Sequence, residues 1–93
     1  MLLRTKQEIY KQARRILDSR GLKHTKLEIT QDRSYTGCYY PSKNLIKLAY
    51  RWFRARSKHY LWGCVIHEIA HLYVPRAGHG KLFKWCVEWL GGP

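Results

Sequence analysis

Acidic residues are scarce in this chain: six Asp and Glu stand against 18 Lys and Arg, a formal net charge of +12 over 93 residues. That imbalance excludes a self-neutralising surface and makes nucleic acid, DNA or RNA, the leading candidate partner, because phosphates would offset the self-repulsion. Cysteine is sparse too. Cys38, Cys64 and Cys86 form no C-x-x-C pair and are odd in number. This argues against a disulfide framework or a cysteine zinc site and fits buried free thiols in a reducing compartment. No long hydrophobic run is present. The first residues turn polar at Arg4, unlike a signal peptide. The apolar stretch at 60–74 is too short to span a bilayer and carries two His and a Glu. A soluble, cytoplasmic protein without membrane contact is the expectation. Internal repeats, linkers and low-complexity tracts are missing as well, so residues 1–93 read as a single domain.

Hydrophobic residues make up 45% of the chain, with four Trp, seven Tyr and two Phe, which argues for a folded globule and against disorder. The core of so short a chain is modest, and a bound metal would act as a staple. Residues 4–20 place Ile9, Ala13, Ile16 and Leu17 at helical spacing, with Gly21 as the C-cap. The opposite face, Lys6, Lys11, Arg14 and Arg15, reads as solvated. Alternation around Leu27 and Ile29, a Tyr- and Thr-rich stretch at 33–40, and Ile46 and Leu48 alternating against Lys47 predict three strands. The turn signal at 41–44 pairs the last two as a hairpin. Ser57 is a plausible N-cap for a helix ending before Pro75. Leu61, Trp62, Val65, Ile66, Ile69, Ala70, Leu72 and Tyr73 surround most of its circumference, the pattern of a buried helix. A last helix at 80–90 offers Leu82, Phe83, Trp85, Cys86, Trp89 and Leu90 as its core face. The class is α+β: an N-terminal helix, a small three-stranded antiparallel sheet, a buried helix and a C-terminal helix.

The polar residues on the buried helix need a reason. His67 and His71 lie four apart and project from one face. Imidazoles at that spacing can chelate one zinc ion. Glu68 follows the first of them, placed to reach a water at the metal and serve as general base without binding the ion itself. Two core histidines and a glutamate left unpaired would be costly to bury. A catalytic zinc needs a third protein ligand and an open position. His79, between Gly78 and Gly80, is favoured, because the glycines let the backbone turn tightly. Glu88 is the alternative. It follows Lys84 by four residues, so an ordinary surface pair explains it. It also lies about half a helical rotation out of phase with His79. His24 and His59 lack such company and read as surface residues.

The run His67-Glu68-Ile69-Ala70-His71, followed by His79-Gly80 and Phe83, resembles the signature of the SprT-like zinc metallopeptidases over residues 61–89. Residues 37–48 are similar to the hairpin that precedes the metal helix in that family. The metzincin pattern fails, with Val74 where its glycine and Ala77 where its third histidine would stand. The resemblance implies a zincin-like fold with a small antiparallel sheet packed on helices, zinc held by His67, His71 and His79, and Glu68 as catalytic base. Members associated with DNA repair cleave proteins crosslinked to DNA. The chain departs from larger members in having no cysteine zinc ribbon after the core and no separate DNA-binding domain, so contact with DNA is expected from the core itself.

Residues 50–60 interleave cations with aromatics. Arg51, Arg54, Arg56 and Lys58 are the candidate phosphate contacts. Trp52 and Phe53 could stack on unpaired bases or belong to the core. Three functions are therefore in play. The first is a zinc-dependent endopeptidase acting on proteins at or near nucleic acid. The second is a nucleic-acid-binding module with a structural zinc, against which the intact Glu68 argues. The third is a zinc hydrolase of a non-peptide bond. Tyr39, Tyr40 and Tyr73 are available types for stabilising an oxyanion.

Overall fold

The computed structural model describes residues 3–74 and 78–92. The helix stop read at Pro75 and the comparison made at Ala77 lie outside the described residues. Helix α1 (Lys6–Ser19) starts on a capping box in which the Thr5 hydroxyl accepts from the Glu8 N–H and the Glu8 carboxylate accepts from the Thr5 N–H. Its buried stripe is Ile9, Ala13 and Leu17. Gly21, at a φ of 75°, ends it: Gly21 N–H donates to Asp18 O at 3.0 Å and Leu22 N–H to Leu17 O at 3.0 Å. Both bonds satisfy carbonyls that the last turn leaves free. Arg14 is not a solvated cation. Its guanidinium donates to the Thr25 and Leu22 carbonyls at 2.6 and 2.7 Å and to Asp18 at 3.0 Å, fastening the link from α1 to the sheet.

Strands β1 (Lys26–Thr30), β2 (Gly37–Tyr40) and β3 (Leu45–Ala49) form one sheet in the order β1-β3-β2. The expected hairpin is present: β2 and β3 pair antiparallel around a 3-10 turn at Pro41–Lys43. The expectation of a wholly antiparallel sheet is corrected, because β1 pairs β3 in parallel, Lys26 opposite Leu45. Asn44 explains the register. At a left-handed φ of 48° it accepts at its carbonyl from the Lys26 N–H (2.8 Å). Its side chain accepts from the Thr25 hydroxyl (3.2 Å) and donates to His24 O (3.3 Å), so β1 and β3 start side by side. Asn tolerates this conformation better than most residues. Ile46 and Leu48 are buried on β3 and Lys47 is only partly so, as the alternation predicts.

A short helix, α2 (Tyr50–Phe53), follows β3 directly. Helix α3 (Lys58–Tyr73) begins as expected at Ser57, whose hydroxyl accepts from the Tyr60 N–H. It packs against α1, β2 and α4 (Lys81–Trp89). Leu61, Val65, Ile66, Ile69 and Ala70 are fully buried with Phe53, Ile9, Leu17, Ile46 and Leu48. One reading of α4 is corrected. Phe83, Cys86 and Leu90 are buried, but Leu82, Trp85 and Trp89 are 55%, 59% and 64% exposed. The two trios have the same helical spacing on neighbouring stripes, and one stripe of this short helix meets the core.

The end of α4 carries a testable contact. Gly91 N–H and Gly92 N–H cap the helix on Glu88 O and Val87 O at 2.9 and 2.8 Å. A Cβ at Gly92 would stand 2.6 Å from Ile66 Cγ2 and 2.7 Å from Val87 Cγ1. Gly92→Ala is expected to destabilise the fold by about 1–3 kcal/mol, the usual cost of overpacking a filled site. Denaturant unfolding checks this: an unchanged midpoint would show that α4 shifts freely on α3.

Candidate metal centre and catalytic cleft

The packing of α3 against β2 and α4 determines what His67, Glu68 and His71 face. His67 and His71 are partly buried, and their Nε2 atoms lie 3.1 Å apart. His79 comes from the turn before α4, between Gly78 at a left-handed φ of 60° and the N-cap Gly80. Its Nε2 lies 3.1 Å from that of His71. The ligand atoms of the three all fall within 4.8 Å of one another. The separations fit a common ion: ligands at the usual Zn–N distance on a tetrahedron sit roughly 3.3 Å apart. Burial, and the charge of the neighbouring imidazoles, lower the pKa of His67. Burial and then His79 lower that of His71. Both effects keep the rings neutral, the form that binds metal.

Phe83 completes the cluster. Its ring lies 4.9, 4.6 and 4.9 Å from the rings of His67, His71 and His79. One buried aromatic from α4 therefore supports all three imidazoles. The sequence signals Phe83 as core and as part of the family pattern, but nothing in its spacing announces contact with every histidine.

Glu68 is 6% exposed. Burial alone pushes its carboxyl up to about 7, a value matched to moving a proton near neutrality. Gly37 of β2 lies over it: a Cβ there would stand 3.4 Å from Glu68 Oε2 and 3.2 Å from Leu48 Cδ2. A cavity of about 360 Å³ opens in front of the histidines, shared by Glu68, Cys38 and Tyr39. Of the three tyrosines named from sequence, Tyr39 alone lines this cavity, while Tyr73 packs edge-on against Trp89. Glu88 is exposed and lies outside the histidine cluster, in a groove that it and Lys84 share with Phe83, Val87 and His67. No Lys84–Glu88 ion pair forms among the described residues.

The basic segment is distributed differently. Arg51, Arg54, Arg56 and Lys58 are all exposed. Phe53 is fully buried and Trp52 packs partly buried against the core, so the first is core and the second is no free stacking platform. Arg51 and Arg56 instead lie over Trp52 and Tyr60, at 6.0 and 4.8 Å from the ring centres. Lys58 also lines a separate basic groove with Arg4, Lys11 and Arg15. His24 and His59 are exposed, as expected.

Fold and site together define a small zincin-like protein whose helix-borne histidines could hold a metal ion. The SprT-like family matches residues 6–92, and the chain belongs to it. Among solved structures it is similar to the metallopeptidase zymogen of Methanocaldococcus jannaschii jannalysin. The TM-score is 0.74 at 18% identity, covering 89% of this chain and 81% of that one. No curated protein matches the sequence. No helix of the described residues is long and apolar enough to cross a membrane.

Proposed function

We propose that this chain is a zinc-dependent endopeptidase. The observation that carries the reading is the convergence of three imidazoles on one point, with a buried carboxyl of raised pKa beside them in an open cleft. His67, His71 and His79 hold the ion. Bound there, zinc would supply a Lewis acid that polarises a peptide carbonyl and makes water more acidic. Glu68 takes the proton of the attacking water and returns it to the leaving nitrogen. Phe83 keeps the imidazoles in place, and Tyr39, which lines the cleft, is the residue assigned to donate to the developing oxyanion. The substrate is an unfolded or extended protein segment. Hydrolysis of such a protein by the zinc-loaded chain, set against Glu68→Gln, tests the reading.

The charge supports a location near nucleic acid, in a reducing, cytoplasmic setting that suits three free thiols. Arg51, Arg54, Arg56 and Lys58 supply the phosphate contacts. Each contact contributes about −0.9 to the slope of log affinity against log salt. Four contacts imply a loss of roughly 10²-fold between about 50 and 200 mM salt. Replacing the four by Ala should flatten that slope by about as many contacts. Absence of binding to DNA or RNA at low salt would remove this part of the reading and leave the hydrolytic part intact.

A further inference from the structure

Leu82, Trp85 and Trp89, three of the largest apolar side chains of α4, stand in solvent, each more than half exposed. Single exposed apolar residues are ordinary, but a contiguous patch of them marks a surface that meets something. This patch is contiguous. The three follow one another at helical spacing along a single stripe. The rings of Trp85 and Trp89 are nearly parallel, with 14° between their planes and 6.4 Å between their centres. Tyr73, exposed at the end of α3, meets Trp89 edge-on at 6.0 Å. Three aromatic rings therefore lie in a row across two helices.

Charge and shape decide what such a row would meet. Lys81 precedes Trp85 by four residues and Lys84 adjoins it; both are exposed, and neither is in an ion pair among the described residues. Glu88 is the one acid of α4. A second copy of the chain would bring +12 against +12. The four side chains, roughly 100–150 Å² of exposed surface each, also fall short of the about 800 Å² that a standard interface takes from each partner. A nucleic-acid strand carries the opposite charge, and its unpaired bases are flat rings that stack on aromatic faces. A duplex keeps those faces inside its own stack. Trp52 and Phe53, which lie among the cations of residues 50–60, pack towards the core, and this leaves Trp85 and Trp89 as the exposed stack.

Building on the nucleic-acid part of the reading above, we propose that Tyr73, Trp85 and Trp89 form a base-stacking platform for single-stranded DNA or RNA, with Lys81 and Lys84 on its phosphates. Helix α4 then has two roles. Its inward stripe sets Phe83 against the three histidines. Its neighbouring outward stripe holds the strand, within about one helix diameter of the metal centre. The platform discriminates paired from unpaired bases rather than one sequence from another, because every base has a face to stack.

The test uses the zinc-loaded full chain, a short oligothymidine strand and a duplex of the same length. The strand should quench tryptophan fluorescence more than the duplex does. Trp85→Ala and Trp89→Ala should each weaken strand binding by about 5- to 100-fold, the range that one stacked base contributes, and leave duplex binding within about threefold. Trp89→Phe, which keeps a ring, should recover most of the loss. The slope of log affinity against log salt should stay unchanged in the two Ala variants, because an indole releases no counterion. Replacing Lys81 and Lys84 together by Ala should flatten the slope for the strand by about 1.4. Unchanged strand binding in the Ala variants, or a loss shared equally by strand and duplex, would overturn the platform and leave the phosphate contacts of residues 51–58 standing. So would a wild-type dimer in sedimentation that Trp89→Ala dissolves, which would give the patch to a second copy. Absence of binding to either nucleic acid at low salt would overturn the platform and the nucleic-acid reading together, and the peptidase reading is independent of every one of these results.

Discussion

Glu68→Gln is expected to retain stoichiometric zinc and to lose about 10²–10⁴-fold in hydrolytic rate, the range that a positioned general base contributes. The two halves of this result have separate causes. The carboxylate does not belong to the histidine cluster, whose ligand atoms come from His67, His71 and His79 alone, so removing its charge leaves the ligands in place. An amide cannot accept the proton of the attacking water, so the step stops. Glutamine keeps the shape under Gly37, where a Cβ would stand only 3.4 Å from the glutamate oxygen, and the fold should be undisturbed. The carboxyl is pushed up to about 7 by burial in the metal-free chain, so the neutral amide also costs less to bury. Elemental analysis and a peptide cleavage assay read the two halves. Full activity in Glu68→Gln would show that another group moves the proton. Loss of zinc would show that the carboxylate is a ligand, which contradicts the geometry.

The second large effect belongs to the ligands. His71 is the middle member of the chain of contacts, 3.1 Å from both neighbours, so His71→Ala should abolish zinc binding. His79→Ala is the more informative change, because Glu88 is the other residue that could complete the set. Its exposure and its absence from the histidine cluster predict that it does not substitute, and zinc retention should fall steeply. A metal that binds only the folded chain stabilises it by about 2.7 kcal/mol at a free concentration of 100 Kd. For a domain of this size each kcal/mol moves Tm by about 4–8 °C, so chelation should lower the wild-type Tm by roughly 10–20 °C. The two variants should already melt near the chelated value and respond little to chelator. Normal zinc content in His79→Ala would return Glu88 to the ligand set.

The metal-bearing helix is the part of the molecule most legible in sequence. Four-residue spacing on an apolar helix is a local property, so His67, Glu68 and His71 could be read without knowing what packs around them. Ser57, Gly21 and the β2–β3 turn are local signals as well, and each acts as expected. Residue type and the flanking glycines favour His79 as third ligand, and the fold brings it to the other two. What was illegible depends on contacts between distant segments. The parallel β1–β3 pairing rests on Asn44 holding residues 24–26, which the Pro-Ser-Lys-Asn turn signal does not reveal. Periodicity gave α4 two equivalent apolar stripes, and only the position of α3 decides that Phe83, Cys86 and Leu90 go inward.

The strand order has a consequence for how the chain folds. β3 lies between two strands that both precede it, so β1 and β2 cannot satisfy each other and the sheet has no centre until residues 45–49 arrive. The short-range β2–β3 hairpin can close first. Bringing β1 alongside then spans a longer stretch of chain, and closing it costs entropy before any contact offsets it. Asn44 is placed to act at that moment: it turns the hairpin and makes three hydrogen bonds with His24, Thr25 and Lys26, where β1 begins. The wall that carries Gly37 belongs to that hairpin, so the strand over Glu68 is in place with the first pairing, and β1 then completes the sheet from its other edge.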